Sequence, residues 1–291
     1  MKTVIITGAS SGIGLAVALE LAQKQANIIG IGHDPKRSEL ALEQIRAAAP
    51  GVNVRFLNAD LMQQREVLRV SAELSNILTN EFEGKLDALI SNAGCVRSWY
   101  TTTEEGYEQQ FALNHLAGFL LTQQLLPFLK RANGRVILTG SGSHKHMRIH
   151  WNDVMLSNGY NPLLAYKQSK LCNMLFVRGL NNRYRMEGIN AYVVDPGLVC
   201  TDIGNKNTGA LANWVWKLRK KHGVCADVPA KTYVHLVEAE PAPQDLYFYL
   251  CKPNRYSRQV TKENADRLFA LSERLCGIQY PQQIQLEEAK R

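Results

Sequence analysis

No stretch of this sequence approaches the roughly 20 consecutive apolar residues that a membrane-spanning helix needs. Near the N-terminus the only apolar run is Val4-Ile5-Ile6, far too short for the core of a signal peptide, so secretion is not expected. The six cysteines (95, 172, 200, 225, 251 and 276) include no Cys-x-x-Cys pair, so neither a zinc site nor a redox pair is indicated. Several lie in apolar runs and read as small core residues. Reduced thiols and a cytoplasmic location are the expectation. Internal repeats, low-complexity tracts and Pro- or Ser-rich linkers are also absent, which favours one domain over residues 1–291.

The composition is that of a globular protein, with 45% hydrophobic and 21% charged residues. The net charge is +8, but the basic residues are dispersed apart from Lys217, Arg219, Lys220 and Lys221. Such a surface suits an anionic cofactor as well as a polyanion, and no nucleic-acid partner is expected.

Strand-like and helix-like runs alternate along the chain. Strands are predicted at 2–7, 28–31, 52–57, 86–91, 135–139, 190–194 and 246–250. Helices are predicted at 12–24, 36–48, 62–80, 105–130, 163–186, 230–239 and 261–276. Apolar strands separated by helices imply an α/β fold: a Rossmann-type doubly wound parallel sheet of about seven strands with helices on both faces. The helices at 105–130 and 163–186 are apolar on more than one face. One face can pack on the sheet; the other needs a neighbouring helix or a second subunit, and a homodimer through these helices is one expectation.

Chemistry is suggested at two places. The first strand runs into Thr7-Gly8-Ala9-Ser10-Ser11-Gly12-Ile13-Gly14, where a helix begins. Small residues let the backbone turn tightly and approach a pyrophosphate, and a helix N-terminus offers N–H groups and a positive dipole end. The second is Tyr166 and Lys170, four apart and therefore on one helix face. An ammonium beside a phenol favours phenolate, which makes an acid–base group. By itself the pair is a common pattern of solvated helices.

Together with Asn92-Ala93-Gly94 after the fourth strand and Asp195-Pro196-Gly197 after the sixth, these motifs resemble the short-chain dehydrogenase/reductase family, in its non-extended form. The resemblance covers nearly the whole chain. It implies hydride transfer between NAD(P)(H) and a carbonyl or alcohol, with Tyr166 as general acid/base, Lys170 beside it, Ser141 on the substrate oxygen and Asn114 completing the catalytic set. It implies cofactor contacts from Gly8, Ser10, Ser11, Gly12, Ile13, Gly14, His33, Asp60, Leu61, Asn92, Ala93, Gly94, Tyr166, Lys170, Pro196, Gly197, Val199 and Thr201. A non-catalytic nucleotide sensor or scaffold on the same fold is the alternative, best supported when the tyrosine or lysine is lost; both are present.

Cofactor choice rests on the end of the second strand. An acid there would bond the ribose hydroxyls of NAD, but the position is Gly32, followed by His33, with Lys36 and Arg37 close behind, so NADP(H) is favoured over NAD(H). The 25 residues from Ser141 to Tyr166 are unusually many, a feature shared with the retinol-dehydrogenase-like branch; the segment from His144 to about Pro162 is expected to loop out. His144, His146 and His150 lie there, and no metal site is expected from them. Residues 202–228 correspond to the family's substrate lid, which suits an apolar carbonyl or alcohol. Within it, 211–221 offers peripheral membrane contact as a less favoured reading.

Overall fold

The structure, a computed structural model, describes residues 1–200 and 223–281. Thr201, the run 211–221 and most of the expected lid at 202–228 lie outside the described residues. Among the described residues eight strands form one sheet in the order β3-β2-β1-β4-β5-β6-β7-β8. They are β1 (Thr3–Thr7), β2 (Asn27–Gly32), β3 (Val54–Asn58), β4 (Ala88–Ser91), β5 (Arg135–Thr139), β6 (Asn190–Val194), β7 (Tyr247–Tyr249) and β8 (Lys252–Pro253). Strands β1 to β7 are parallel; β8 returns antiparallel to β7. The sequence expectation of about seven strands misses β8. It is a two-residue strand after a turn in which Leu250 and Cys251 both have positive φ (48° and 60°), too short to carry a period.

The helices are α1 (Gly12–Gln23), α2 (Pro35–Ala48), α3 (Gln64–Glu81), α4 (Gln109–Phe111), α5 (Ala117–Ala132), α6 (Pro162–Tyr184), α7 (Asp227–Glu238) and α8 (Lys262–Cys276). Side chains alternate across each strand, so Val4 and Ile6 enter a core with α1, α2 and α7, while Ile5 enters a larger one with α3, α5, α6 and α8. The strand order reverses between β1 and its neighbours β2 and β4, and a crevice opens there at the carboxyl ends of the strands.

The second apolar faces of α5 and α6 are covered within the chain. Phe119 of α5 lies 5.0 Å, between ring centres, from Phe176 of α6 and 5.1 Å from Phe269 of α8. Tyr280 packs on the same cluster, 4.9 Å from Phe119, and its hydroxyl donates to the Phe119 carbonyl. The neighbouring helix that these faces require is therefore α8, and the apolarity no longer calls for a second subunit.

The predicted helix at 105–130 is broken. Glu108 caps a single α-turn, accepting hydrogen bonds from the Gln110 and Phe111 amides, and a π-turn at Ala112–Leu116 then leads into α5. Nor does the segment before Tyr166 loop out freely. Met147 and Ile149 are buried in the larger core, and Leu156 is buried as well. Gln168 of α6 accepts from the His150 amide at 2.8 Å and donates to the Val154 carbonyl at 2.7 Å. At its far end the Tyr160 hydroxyl donates to Glu108 Oε1 at 2.9 Å.

Candidate active site

The crevice begins at the glycine turn. Gly8 has φ of +66°, a conformation that favours glycine. Gly14 is needed for closeness rather than freedom: a Cβ there would fall 2.2 Å from the Gly8 carbonyl oxygen, so only hydrogen lets α1 close on the turn. The first amides of α1 have no side-chain cap and no acid in the first turn, whereas Asp34, Asn161 and Thr261 cap α2, α6 and α8. Thr7 ties the turn to the Asn92-Ala93-Gly94 loop, its Oγ1 accepting from the amides of Asn92 (3.0 Å) and Ala93 (2.9 Å). The result is a groove of about 350 Å³. Of the predicted cofactor contacts, Gly8, Ser10, Ser11, His33, Asp60, Leu61, Ala93 and Gly94 line it. Gly12 and Gly14 do not; they shape the turn behind it. A groove of this volume beside uncapped helix amides fits a dinucleotide and its pyrophosphate.

At the end of this groove is a much smaller pocket of about 70 Å³. Ser141, Tyr166 and Lys170 meet in it, with Ile13, Asn92, Pro196, Gly197 and Val199 as further walls. Gly94 lines both cavities and joins them. Tyr166 is half-buried and Lys170 buried, with Nζ 5.5 Å from the centre of the Tyr166 ring. The ammonium donates to the Thr139 carbonyl at 3.0 Å, at the end of β5, so the sheet itself holds the lysine in place.

Asn114 stands behind the pocket wall, in the π-turn, a device that recurs at functional sites. Its Oδ1 accepts from the Cys95 amide at 2.8 Å; its Nδ2 donates to the Cys95 carbonyl and to Ser169 Oγ, both at 3.0 Å. Gly94 fills the gap: a Cβ there would lie 2.9 Å from Asn114 Oδ1 and 3.8 Å from Lys170 Nζ.

Ser141 is held from the opposite side. It caps a 3₁₀ turn at Gly142–His146, its Oγ accepting from the Ser143 amide at 3.3 Å. Its carbonyl accepts from His144 Nδ1 at 2.6 Å. Because a carbonyl cannot donate, Nδ1 carries the proton, leaving Nε2 to accept from the Ser257 amide at 3.4 Å. Burial pushes the His144 pKa down, favouring the neutral ring this pattern requires. The His144 ring meets Tyr247 edge-on at 4.9 Å, the Tyr247 hydroxyl donates to Asp195 Oδ2 at 2.6 Å, and Asp195 Oδ1 accepts from the Gly197 amide at 3.0 Å. Sequence reasoning missed this chain of contacts. It also missed Cys95, Ser169 and Thr139, although each lies beside or near a recognised motif. His146 and His150 are exposed while His144 is buried, so the three histidines do not converge.

A family profile described as short chain dehydrogenase matches residues 2–211. Human retinol dehydrogenase 13 is 35% identical, the match covering 96% of this chain and 86% of that protein. Mouse retinol dehydrogenase 12 is 36% identical, with 96% and 87% covered. A crystal structure of an uncharacterized protein from Mycobacterium paratuberculosis matches with a TM-score of 0.74 and 30% identity, over 97% of this chain and 95% of that one. A short chain dehydrogenase from Burkholderia cenocepacia in complex with NADP matches with a TM-score of 0.68 and 23% identity, over 85% and 95%.

Proposed function

The chain belongs to the short-chain dehydrogenase family and is a nucleotide-dependent oxidoreductase acting on CH–OH donors, and from that premise we propose how its residues divide the work. When bound, the nicotinamide supplies or accepts the hydride. Tyr166 gives a proton to the substrate oxygen as a carbonyl is reduced, and takes it back when the alcohol is oxidised. Lys170 places a positive charge beside the phenol and stabilises it when the proton leaves. Ser141 Oγ uses a lone pair on the Ser143 amide, so its own proton is available to the same substrate oxygen. Asn114 acts through others: it ties Cys95, which lines the pocket, to Ser169, the residue before Lys170. The observation that carries this reading is the convergence of Ser141, Tyr166 and Lys170 on one small pocket at the end of the groove.

We read the cofactor as NADP(H). Position 32 carries no acid, and a Cβ there would lie 2.1 Å from Ser38 Oγ, so one is accommodated only by turning Ser38 away from Asn58 Oδ1, to which it is bonded at 2.8 Å. Arg37 lines the groove, and Asp34 Oδ1 is engaged by the Lys36 and Arg37 amides at 3.0 and 3.3 Å. The substrate is read as a carbonyl or alcohol on an apolar body; Leu198 and Val224 present exposed apolar surface next to the pocket wall. Retinol is named for the relatives and is one member of that class.

A panel of aldehydes, ketones and alcohols followed by NADPH absorbance tests the activity, and no turnover on any of them sinks it. Arg37→Ala should weaken NADPH by about tenfold, ~1.4 kcal/mol, and leave NADH unchanged; NADH binding as tightly as NADPH to the unaltered protein reverses the cofactor reading. A cytoplasmic location is proposed from the reduced-thiol reading, and cell fractionation tests it. Among the described residues no helix is long and apolar enough to cross a membrane. A homodimer through α5 and α6 is the oligomer proposed from their apolar faces; Phe269 of α8 covers part of those faces, and light scattering decides whether one forms.

A further inference from the structure

Spacing pairs none of the six cysteines, but the fold brings two together. Beyond Gly197 the chain runs through Leu198 and Val199 to Cys200, and a later segment returns alongside as Val224-Cys225. Val199 and Val224 form a parallel bridge. The Val224 amide donates to the Leu198 carbonyl at 2.9 Å, and the Cys200 amide to the Val224 carbonyl at 3.0 Å. That register sets Cys200 opposite Cys225. Neighbouring strands lie about 4.8 Å apart, within the ~4.4–6.8 Å Cα separation that a disulfide spans. Cys200 Sγ is turned toward the returning segment, 3.3 Å from the Gly223 carbonyl oxygen.

Access separates this pair from the other four. Cys200 and Cys225 are exposed; Cys172 is buried, and Cys95, Cys251 and Cys276 are partly covered. Desolvation pushes the Cys95 and Cys276 thiols up to about 12 and that of Cys172 higher still, which keeps them as unreactive thiols. Cys251 Sγ lies 3.8 Å from Thr232 Oγ1.

We propose that Cys200 and Cys225 are a redox-modification site that closes to an intramolecular disulfide when the protein meets a small-molecule disulfide. One cysteine thiolate attacks a sulfur of the small disulfide, forming a mixed disulfide and expelling one half as thiolate. The second cysteine attacks the protein sulfur of that intermediate, forming the Cys200–Cys225 bond and expelling the other half. Two protein thiols are oxidised, and their two electrons and two protons pass to the small disulfide, which leaves as two thiols. The bond fastens the pocket wall to a helix. Val199 lines the pocket with Pro196 and Gly197. Cys225 leads into α7, whose Tyr233 hydroxyl is 2.7 Å from Thr139 Oγ1 on β5. Oxidation therefore stiffens the wall facing Tyr166 and Ser141, and lowers kcat/KM for bulky carbonyls by about tenfold while NADPH affinity holds.

The full chain is incubated with oxidised glutathione, blocked with an alkylating agent, digested and analysed by mass spectrometry. The expected product is one linked peptide pair joining Cys200 to Cys225, lighter by two hydrogens than the sum of the reduced peptides and reopened by dithiothreitol. Cys225→Ser should leave Cys200 as a stable glutathione adduct, and the double serine variant should keep its activity in oxidant. Glutathione adducts on both cysteines with no internal link overturn the proposal, as does linkage to any other cysteine. Equal kcat/KM for the linked and reduced forms overturns the coupling to the pocket. The mass readout does not depend on Tyr166 chemistry, so failure of the catalytic reading is distinguishable from failure of this one.

Discussion

The two polar walls of the small pocket are built in opposite ways. On the Asn114 side the parts belong to recognised motifs or adjoin them: Cys95 follows Asn92-Ala93-Gly94, Ser169 precedes Lys170, and one asparagine amide clamps both. On the Ser141 side the support comes from separate segments of the chain: His144 beside the serine, Ser257 and Tyr247 far downstream, and Asp195 with Gly197 between them. Both walls include a buried histidine bonded to a serine of the C-terminal region, His115 to Ser272 and His144 to Ser257. The contrast separates groups that do chemistry, which sit in local patterns, from the scaffold that aims them, which can come from anywhere in the fold.

The largest effect is expected where the walls meet. Tyr166→Phe removes the proton and keeps the ring, so kcat should fall by about 10³-fold with NADPH affinity unchanged; turnover within about tenfold of the parent would remove the tyrosine from the reaction. Next comes Asn114→Ala, which releases Cys95 and Ser169 together. Small displacements of reacting groups are costly, and a loss of about 10²-fold in kcat is expected. His144→Phe keeps the packing on Tyr247 but removes the donor to the Ser141 carbonyl. Because Ser141 is also held by its own turn and by the adjacent sheet, a loss of only about tenfold in kcat, with KM and NADPH affinity nearly constant, is expected. If His144→Phe matches or exceeds Asn114→Ala, the ranking of the two walls is wrong and the distributed scaffold is the more demanding one.

The same contrast explains what was legible in the sequence. The strands from β1 to β7 and the longer helices announce themselves by period, and Gly8, Asn92, Tyr166 and Lys170 by spacing, because each signal lies within a few residues. The break at Asn114 is invisible to a period count, since a π-turn inserts one residue into an otherwise apolar helix. The buried state of His144 was hidden among basic neighbours; nothing local indicates that Ser257 and Tyr247 will close over it. Likewise, the apolar second faces of α5 and α6 are explained only when α8 and Tyr280 arrive from the end of the described chain. The Cys200–Cys225 register depends on a single bridge between segments that no motif links.

A last effect, on stability rather than turnover, tests the deeper of the two histidines. His115 sits in the π-turn, fully buried among Phe111, Phe119 and Phe176, with Nε2 2.8 Å from Ser272 Oγ. Desolvation drives its pKa down from 6.5 to about 3. Between those values the unfolded chain binds the proton and the folded chain does not, so stability rises with pH across the window and is lost as pH falls from 6.5 toward 3. From pH 7 to pH 5 this one group should remove about 2 kcal/mol of unfolding free energy. His115→Phe leaves Ser272 without its partner, a cost that does not vary with pH, and removes the titration. Urea unfolding at the two pH values should then show the variant losing about 2 kcal/mol less than the parent on acidification, whatever its stability at pH 7. Parallel losses in the two proteins would mean that His115 is protonated in the fold, and that the Asn114 wall is wetter than its aromatic packing implies.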